Sequence, residues 1–578
     1  MIQVNKTTAS MTTRDGVRLD ADIYRPDTKE KLPILLMRQP YGKAIASTVV
    51  YAHPTWYAAQ GYIVVIQDVR GRGTSQGEFK LFEHEIADGI DTIKWVSQLP
   101  ESTGEIGMYG FSYQGMTQLY AATGKSSALK AIAPAMIGYD LYSDWAYENG
   151  AFCLQANLSW AIQLAAETAR LRGDETAYQK LRQASSNLPL NDLIPALPDV
   201  ISQYAPDSFY HDWLHHSEPD EYWQNLSPKY LLENVDLPML HIGGWFDPYL
   251  RGTLNLYNAM AQKSQHPQHL IIAPWAHLPW GRRLGAVNYG IEAQNTIDEI
   301  QIRWFNHFLK EEDTEMLAEE PISLFEMGSN QWQYLSEFPS QETVYYLASD
   351  GLAATKEDSG MLWQYQESND SDNLNLTSEK HETLSTTSDD LANYLLIEQA
   401  EEFVNQKDSI VHDPWRPVPV LGGHVSFPSG SFERSALDCR TDILTYTSSP
   451  LEKDLNLTGT VTVELYCQAD KPSFDLCVIL SEVFSDNRVF NITQGYIKTN
   501  FAANTNNLVT ISLQATCYKI TAGNSLRISI SAACFPAYPV NSGTDKSLTQ
   551  SRLIDNQIIT VALYSGADYP SLLKVKSL

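Results

Sequence analysis

The chain has 578 residues, 43% of them hydrophobic and 19% charged, and its 41 basic against 69 acidic side chains leave a net charge of −28. That length predicts several domains rather than one core. The carboxylate excess argues against nucleic acid and anionic membrane surfaces as partners. Residues 1–10 are polar where a secretion signal would be apolar, and there is no run of about 18 apolar residues to span a membrane. Six cysteines without CxxC spacing read as reduced thiols, so the cytoplasm is the expected compartment.

Segments 4–13 and 17–24 flank Asp15-Gly16, a dipeptide suited to the tight turn of a hairpin. Short, continuous apolar runs follow at 33–37, 63–66, 105–109 and 130–133, separated by helical patterns, and recur at 238–242 and 270–273. Continuous apolarity suits strands buried on both faces of a parallel sheet. The sheet is therefore expected to span 1–140 and 237–343 and to be interrupted by an insertion at 141–236. Within the insertion, Leu158, Ala161, Ile162, Ala165, Ala166 and Ala169 recur at helical spacing over 158–172, predicting a helical cap. From 344 to 578 the texture changes to period-two alternation, as at 459–466 and 525–530, which predicts antiparallel strands with one wet face. The polar, acidic stretch 349–409 reads as long loops.

One motif carries chemistry. Tyr109-Gly110-Phe111-Ser112-Tyr113-Gln114-Gly115 follows a predicted strand and precedes a helical pattern. A serine on such a turn stands above the sheet, beside the unpaired N–H groups of a helix start. The usual Gly-x-Ser-x-Gly spacing is not met, because Gln114 occupies the second glycine's place and Gly115 comes one later. A serine nucleophile needs a base, and the base needs an orienting carboxylate. Asp247 follows the run ending at Ile242, and His277 follows the run ending at Ala273. Both lie just past strand ends, in the order serine, acid, histidine that α/β-hydrolases use. Acyl transfer by this set needs no cofactor. The segment Gly71-Arg72-Gly73-Thr74-Ser75-Gln76-Gly77 lacks the spacing of a phosphate loop, and His211 and His215 lack the glutamate of a zinc-binding helix, so neither a nucleotide nor a metal is expected.

These motifs, with Arg38-Gln39-Pro40-Tyr41-Gly42-Lys43, Gln67-Asp68-Val69-Arg70-Gly71-Arg72-Gly73-Thr74-Ser75, Gly244-Trp245-Phe246-Asp247, Pro274-Trp275-Ala276-His277 and Asp413-Pro414-Trp415-Arg416-Pro417, resemble the cocaine-esterase-like hydrolases. Those are relatives of X-prolyl dipeptidyl aminopeptidases and α-amino acid ester hydrolases. The resemblance implies an α/β-hydrolase fold with a helical insertion and a C-terminal antiparallel jelly-roll domain. It also implies an oxyanion hole made by the Tyr113 backbone N–H and the Tyr41 hydroxyl, and a substrate pocket walled by Trp160, Tyr249 and Phe427. Ser426 stands where a cocaine esterase has a bulky aliphatic residue. Beyond the acid, Pro248-Tyr249-Leu250-Arg251 supplies no carboxylate for a substrate ammonium, leaving Asp144 or Glu148 for that role. The expected substrate is a small carboxylic ester or amide. An X-prolyl dipeptidyl-peptidase or acylase using the same residues is the alternative, with a short peptide as substrate.

Overall fold

The computed structural model describes residues 3–45, 48–364 and 405–577. Its first sheet has ten strands: β1 (Val4–Thr12), β2 (Arg18–Pro26), β3 (Leu32–Gln39), β4 (Ile63–Asp68), β5 (Ser102–Phe111), β6 (Leu129–Ala135), β7 (Met239–Phe246), β8 (Gln268–Ala276), β9 (Ile322–Glu326) and β10 (Gln331–Leu335). Their spatial order is β1-β2-β4-β3-β5-β6-β7-β8-β9-β10. The strands from β3 to β9 run parallel, and antiparallel pairs close both edges. Each continuous apolar run became a central strand. The last two strands, β9 and the edge strand β10, carried no such run and are added by the structure.

The two-sided burial has a direct cause in the pleat. On β3, Ile34 and Leu36 enter a core with Ile93 of α1 (Glu85–Val96) and Met116 and Leu119 of α2 (Tyr113–Ala122). The alternate residues Leu35 and Met37 enter the opposite core, which holds Phe305 and Leu309 of α5 (Ile297–Lys310). With period two, only an unbroken apolar run fills both sides. The first core continues into the insertion through Leu158, Ala161 and Ile162 of α3 (Leu154–Arg172), which starts four residues earlier than the periodicity indicates. The insertion is not purely helical: Tyr147–Glu148 and Ala151–Phe152 form a small hairpin. His211 lies on a helix over Phe209–His215 and bonds the Ala205 carbonyl at 3.1 Å.

The C-terminal part folds as a sheet of eleven strands, nearly all antiparallel. Strands Met361–Gln364 and Ile443–Ser448 form a parallel pair, a departure from the all-antiparallel expectation. Met361–Gln364 and Gln406–His412 are strands where loops were expected, and the stretch between them lies outside the described residues.

Glu148, fully buried on the insertion hairpin, ties the three parts together. It accepts bonds from the Tyr538 hydroxyl at 2.6 Å, the Tyr496 N–H at 3.2 Å and His424 Nε2 at 3.1 Å. Arg251 of α4 (Leu250–Lys263) reaches it at 3.0 Å. Burial disfavours the charged carboxylate, but Arg251 first, then His424 and Tyr538, hold its pKa well below the usual range. A carboxylate lowered in this way adds stability that is complete above its unfolded pKa near 4.3 and is lost as the pH falls towards its folded value. Glu148→Gln removes the charge and deprives the partly exposed Arg251 guanidinium of its carboxylate, leaving it the Ser143 carbonyl at 3.1 Å. Denaturant unfolding at neutral pH should show a loss of about 3 kcal/mol, and the difference from the parent should shrink below pH 4.

Candidate active site

Ser112 sits between β5 and α2 with φ 59° and ψ −127°, a strained conformation for a residue with a side chain. Its N–H is tied to the Ala135 carbonyl of β6 at 2.9 Å. The shifted glycine spacing has a steric explanation. A Cβ on Gly115 would lie 2.4 Å from Ile137 Cγ2 and 2.8 Å from the Ala135 oxygen, so the close approach of α2 to β6 falls at 115. Position 114 has room for a side chain, and Gln114 Oε1 lies 3.4 Å from the Phe111 N–H.

Asp247 and His277 follow the adjacent parallel strands β7 and β8, whose register sets Phe246 opposite Ala276. Asp247 is fully buried, and its Oδ1 accepts from His277 Nδ1 at 2.8 Å while Oδ2 accepts the Tyr249 N–H at 3.2 Å. Burial raises the carboxyl pKa, and the bond to His277 is the largest opposing effect. A proton held on Nδ1 leaves Nε2 as the basic nitrogen. The rings of Tyr249 and Phe111 flank the imidazole at 4.9 Å and 5.4 Å between centroids.

The acid loop has a brace that sequence reading missed. Gln514, from the loop between the strands Asn507–Ser512 and Thr516–Ile520, donates its amide to the Trp245 and Asp247 carbonyls at 2.9 Å and 3.1 Å. Nothing local marks Gln514, because its partners are 269 and 267 residues away.

Tyr41 is held from below by a buried polar chain. Its N–H donates to Gln39 Oε1 at 2.8 Å, and the Gln39 amide donates to Asp68 Oδ1 at 3.2 Å. Asp68 also collects the N–H groups of Lys43 at 2.6 Å and Thr74 at 3.1 Å, so the glycine-rich loop wraps a carboxylate rather than a phosphate. Gly73 is required there, since a Cβ would fall 2.0 Å from Asp68 Oδ2. The Tyr41 hydroxyl accepts a bond from Trp160 Nε1 at 3.0 Å. Its own proton is therefore free to point elsewhere. Burial pushes the phenol up to about 12, so it is a neutral donor at pH 7. The Tyr113 N–H, at the first position of α2, has no acceptor within its helix. Its side chain is anchored in the core by a 2.8 Å bond to Glu85, which pairs with Arg38 at 2.6 Å.

Ser112, His277 and Tyr41 line one cavity of about 670 Å³. Trp160 and Tyr249 line it too, with Trp145 stacked on Tyr249 at 4.0 Å. Phe427 is 68% exposed and stands at the mouth rather than deep in the wall. The Ser426 hydroxyl is used within its own loop, bonded to the carbonyls of Gly422 and Pro428 at 2.6 Å and 2.9 Å. His424, which the sequence did not single out, lines the cavity with Nε2 turned to Glu148. No Asp, Glu, Lys or Arg is among the described lining residues. Of the two carboxylates expected to be available for an ammonium, Glu148 is taken by Arg251. Asp144 is buried and accepts the Asp140 N–H at 2.8 Å and the Asn255 amide at 3.1 Å. Neither lines the cavity.

Comparison with known proteins agrees with this architecture. Residues 15–279 match the model of the X-Pro dipeptidyl-peptidase (S15) family, and 315–574 match the X-Pro dipeptidyl-peptidase C-terminal non-catalytic domain. A cocaine esterase of Rhodococcus sp. is 28% identical, covering 99% of this chain and 98% of that protein. Among solved structures, an aminopeptidase of a marine-sediment Thaumarchaeota archaeon superimposes with a TM-score of 0.78 at 20% identity, covering 100% of this chain and 97% of that one. An α-amino acid ester hydrolase gives 0.75 at 19%, with the same coverage. These two share the fold. The protein is a serine hydrolase with an α/β-hydrolase domain and a mostly antiparallel C-terminal β domain. It belongs to the family that unites the X-prolyl dipeptidyl-peptidases with the cocaine-esterase-like hydrolases.

The Tyr41 geometry gives a prediction. Tyr41→Phe keeps the ring but removes the donor, so kcat should fall by about 10²–10³ with KM little changed, the usual result of losing one oxyanion donor. Steady-state kinetics beside a thermal melt would check it, and near-parental kcat in a folded variant would reject the role.

Proposed function

We propose that this enzyme cleaves small, neutral carboxylic esters through an acyl-Ser112 intermediate. His277 Nε2 takes the hydroxyl proton as Ser112 attacks the carbonyl. Asp247 holds the imidazole and stabilises its charged form. The Tyr41 hydroxyl and the Tyr113 N–H receive the developing oxyanion. The proton then passes to the leaving alkoxide, and His277 activates water to release the acid. The observation that carries this reading is the cavity itself: aromatic, about 670 Å³, and without a carboxylate among its described lining residues. The S15 family match favours the second reading, an X-prolyl dipeptidyl-peptidase, but that reaction must hold a free substrate amine.

The same reading divides the chain into a hydrolase domain at 1–140 and 237–343, a cap at 141–236 and a jelly-roll domain at 344–578. Six unpaired cysteines, five of them buried, support placing the enzyme in the cytoplasm.

The test compares methyl phenylacetate with phenylglycine methyl ester, which differ by one α-ammonium, at a pH where the amine is protonated. An ammonium desolvated without a counter-ion should cost at least about 100-fold in kcat/KM, with glycyl-prolyl anilide also poorly cleaved. Equal rates on the two esters would sink the neutral-substrate reading. Ser112→Ala should lower turnover on the neutral ester by on the order of 10⁵ or more.

A further inference from the structure

Five arginines are buried among the described residues, and four have a carboxylate partner. Arg38 pairs with Glu85 at 2.6 Å, Arg70 with Asp88 at 2.7 Å, Arg434 with Asp438 at 2.8 Å and Arg527 with Glu357 at 2.9 Å. Arg72 is the exception. It is 1% exposed, and no described carboxylate lies within ion-pair distance. Of its five N–H donors, one bonds a protein acceptor, the Leu164 carbonyl at 3.1 Å, and Nε is buried with no partner. Its guanidinium lies 3.7 Å from the centre of the Phe79 ring, which offsets part of the desolvation. Burial still pulls its pKa down to about 10.

Arg72 lines a second cavity, of about 660 Å³, between the 72–83 loop and the insertion helices. This cavity shares no described lining residue with the one that holds Ser112. Its apolar lining includes Phe79 and Leu164, which the guanidinium contacts, with Ala169 and Phe209. Its carboxylates are already engaged in part: Arg172 meets Glu78 at 3.5 Å and Asp207 at 3.7 Å, Lys80 meets Glu83 at 3.7 Å, and Asp174 caps the Ala177 N–H. Asp212 adds a further negative charge.

We propose that this cavity is a binding site for a small organic monocarboxylate, whose carboxylate pairs with Arg72 and whose apolar body packs on Phe79, Leu164 and Phe209. A buried guanidinium left without an anion is costly, and a ligand carboxylate supplies the partner that the fold withholds. The lining carboxylates disfavour a multiply charged anion such as phosphate, while the apolar lining favours a body of carbon. The site stands on Arg72 and the cavity, independent of which ester is cleaved at Ser112.

The test is calorimetric titration of the full chain with benzoate, with its neutral analogue benzamide and with inorganic phosphate. Benzoate should bind saturably, and benzamide and phosphate at least roughly tenfold more weakly. Arg72→Gln should weaken benzoate by a similar factor, and Thr168→Phe, which fills the cavity from α3 and leaves Arg72 in place, should abolish that binding even if the arginine variant fails to fold. The proposal is overturned by no benzoate binding up to about 10 mM, by equal affinity for benzamide, by tighter binding of phosphate, or by unchanged benzoate affinity in folded Thr168→Phe.

Discussion

The active-site cavity depends on one buried carboxylate. Glu148, on the insertion hairpin, takes its partners from the other two parts, Arg251 from the hydrolase domain and His424, Tyr496 and Tyr538 from the C-terminal part. A buried charge is tolerated only when it is paired and its lone pairs are filled. Meeting that condition fixes the positions of Arg251, His424, Tyr496 and Tyr538 together. Because His424 begins the loop that carries Ser426 and Phe427 to the pocket, the same constraint sets one wall of the site.

Around this joint, the groups proposed to act in catalysis are held in place by the fold itself. Ser112 is kept in a strained conformation by the bond to β6 and by the close approach at Gly115. The Asp247 loop is braced by Gln514 from a loop of the C-terminal part, so that part contributes to the geometry of the acid as well as to the pocket. Tyr41 is fixed at its backbone through Gln39 and Asp68 and at its hydroxyl by Trp160. In the proposed mechanism, donors placed in this way would stabilise charge without reorganising during the reaction.

The family contains esterases and peptidases on one architecture, so the fold alone does not choose between them. The charges near the pocket favour the neutral-ester proposal. Arg251 stands four residues beyond the acid and pairs with Glu148, which is buried outside the cavity lining. The chain's excess of negative charge has no counterpart in the cavity, whose described lining holds no Asp, Glu, Lys or Arg.

The sequence by itself determined what depends on neighbours along the chain. Continuous apolar runs specify strands buried on both faces, because the pleat sends alternate side chains to opposite cores. Gly110 and Gly115 mark the turn around Ser112, and the order of serine, acid and histidine placed the two partners after later strands. That Glu148 is paired away from the cavity could not be read from the sequence, because its partners lie between 103 and 390 residues away in the chain and are invisible to local patterning. Gln514, His424 and the Trp160–Tyr41 bond escaped notice for the same reason. The tertiary structure alone decided which charges were paired across the seams. It gave Glu148 a full set of partners and left Arg72 without one, since pairing depends on distance in space and burial, and neither can be read from spacing along a chain.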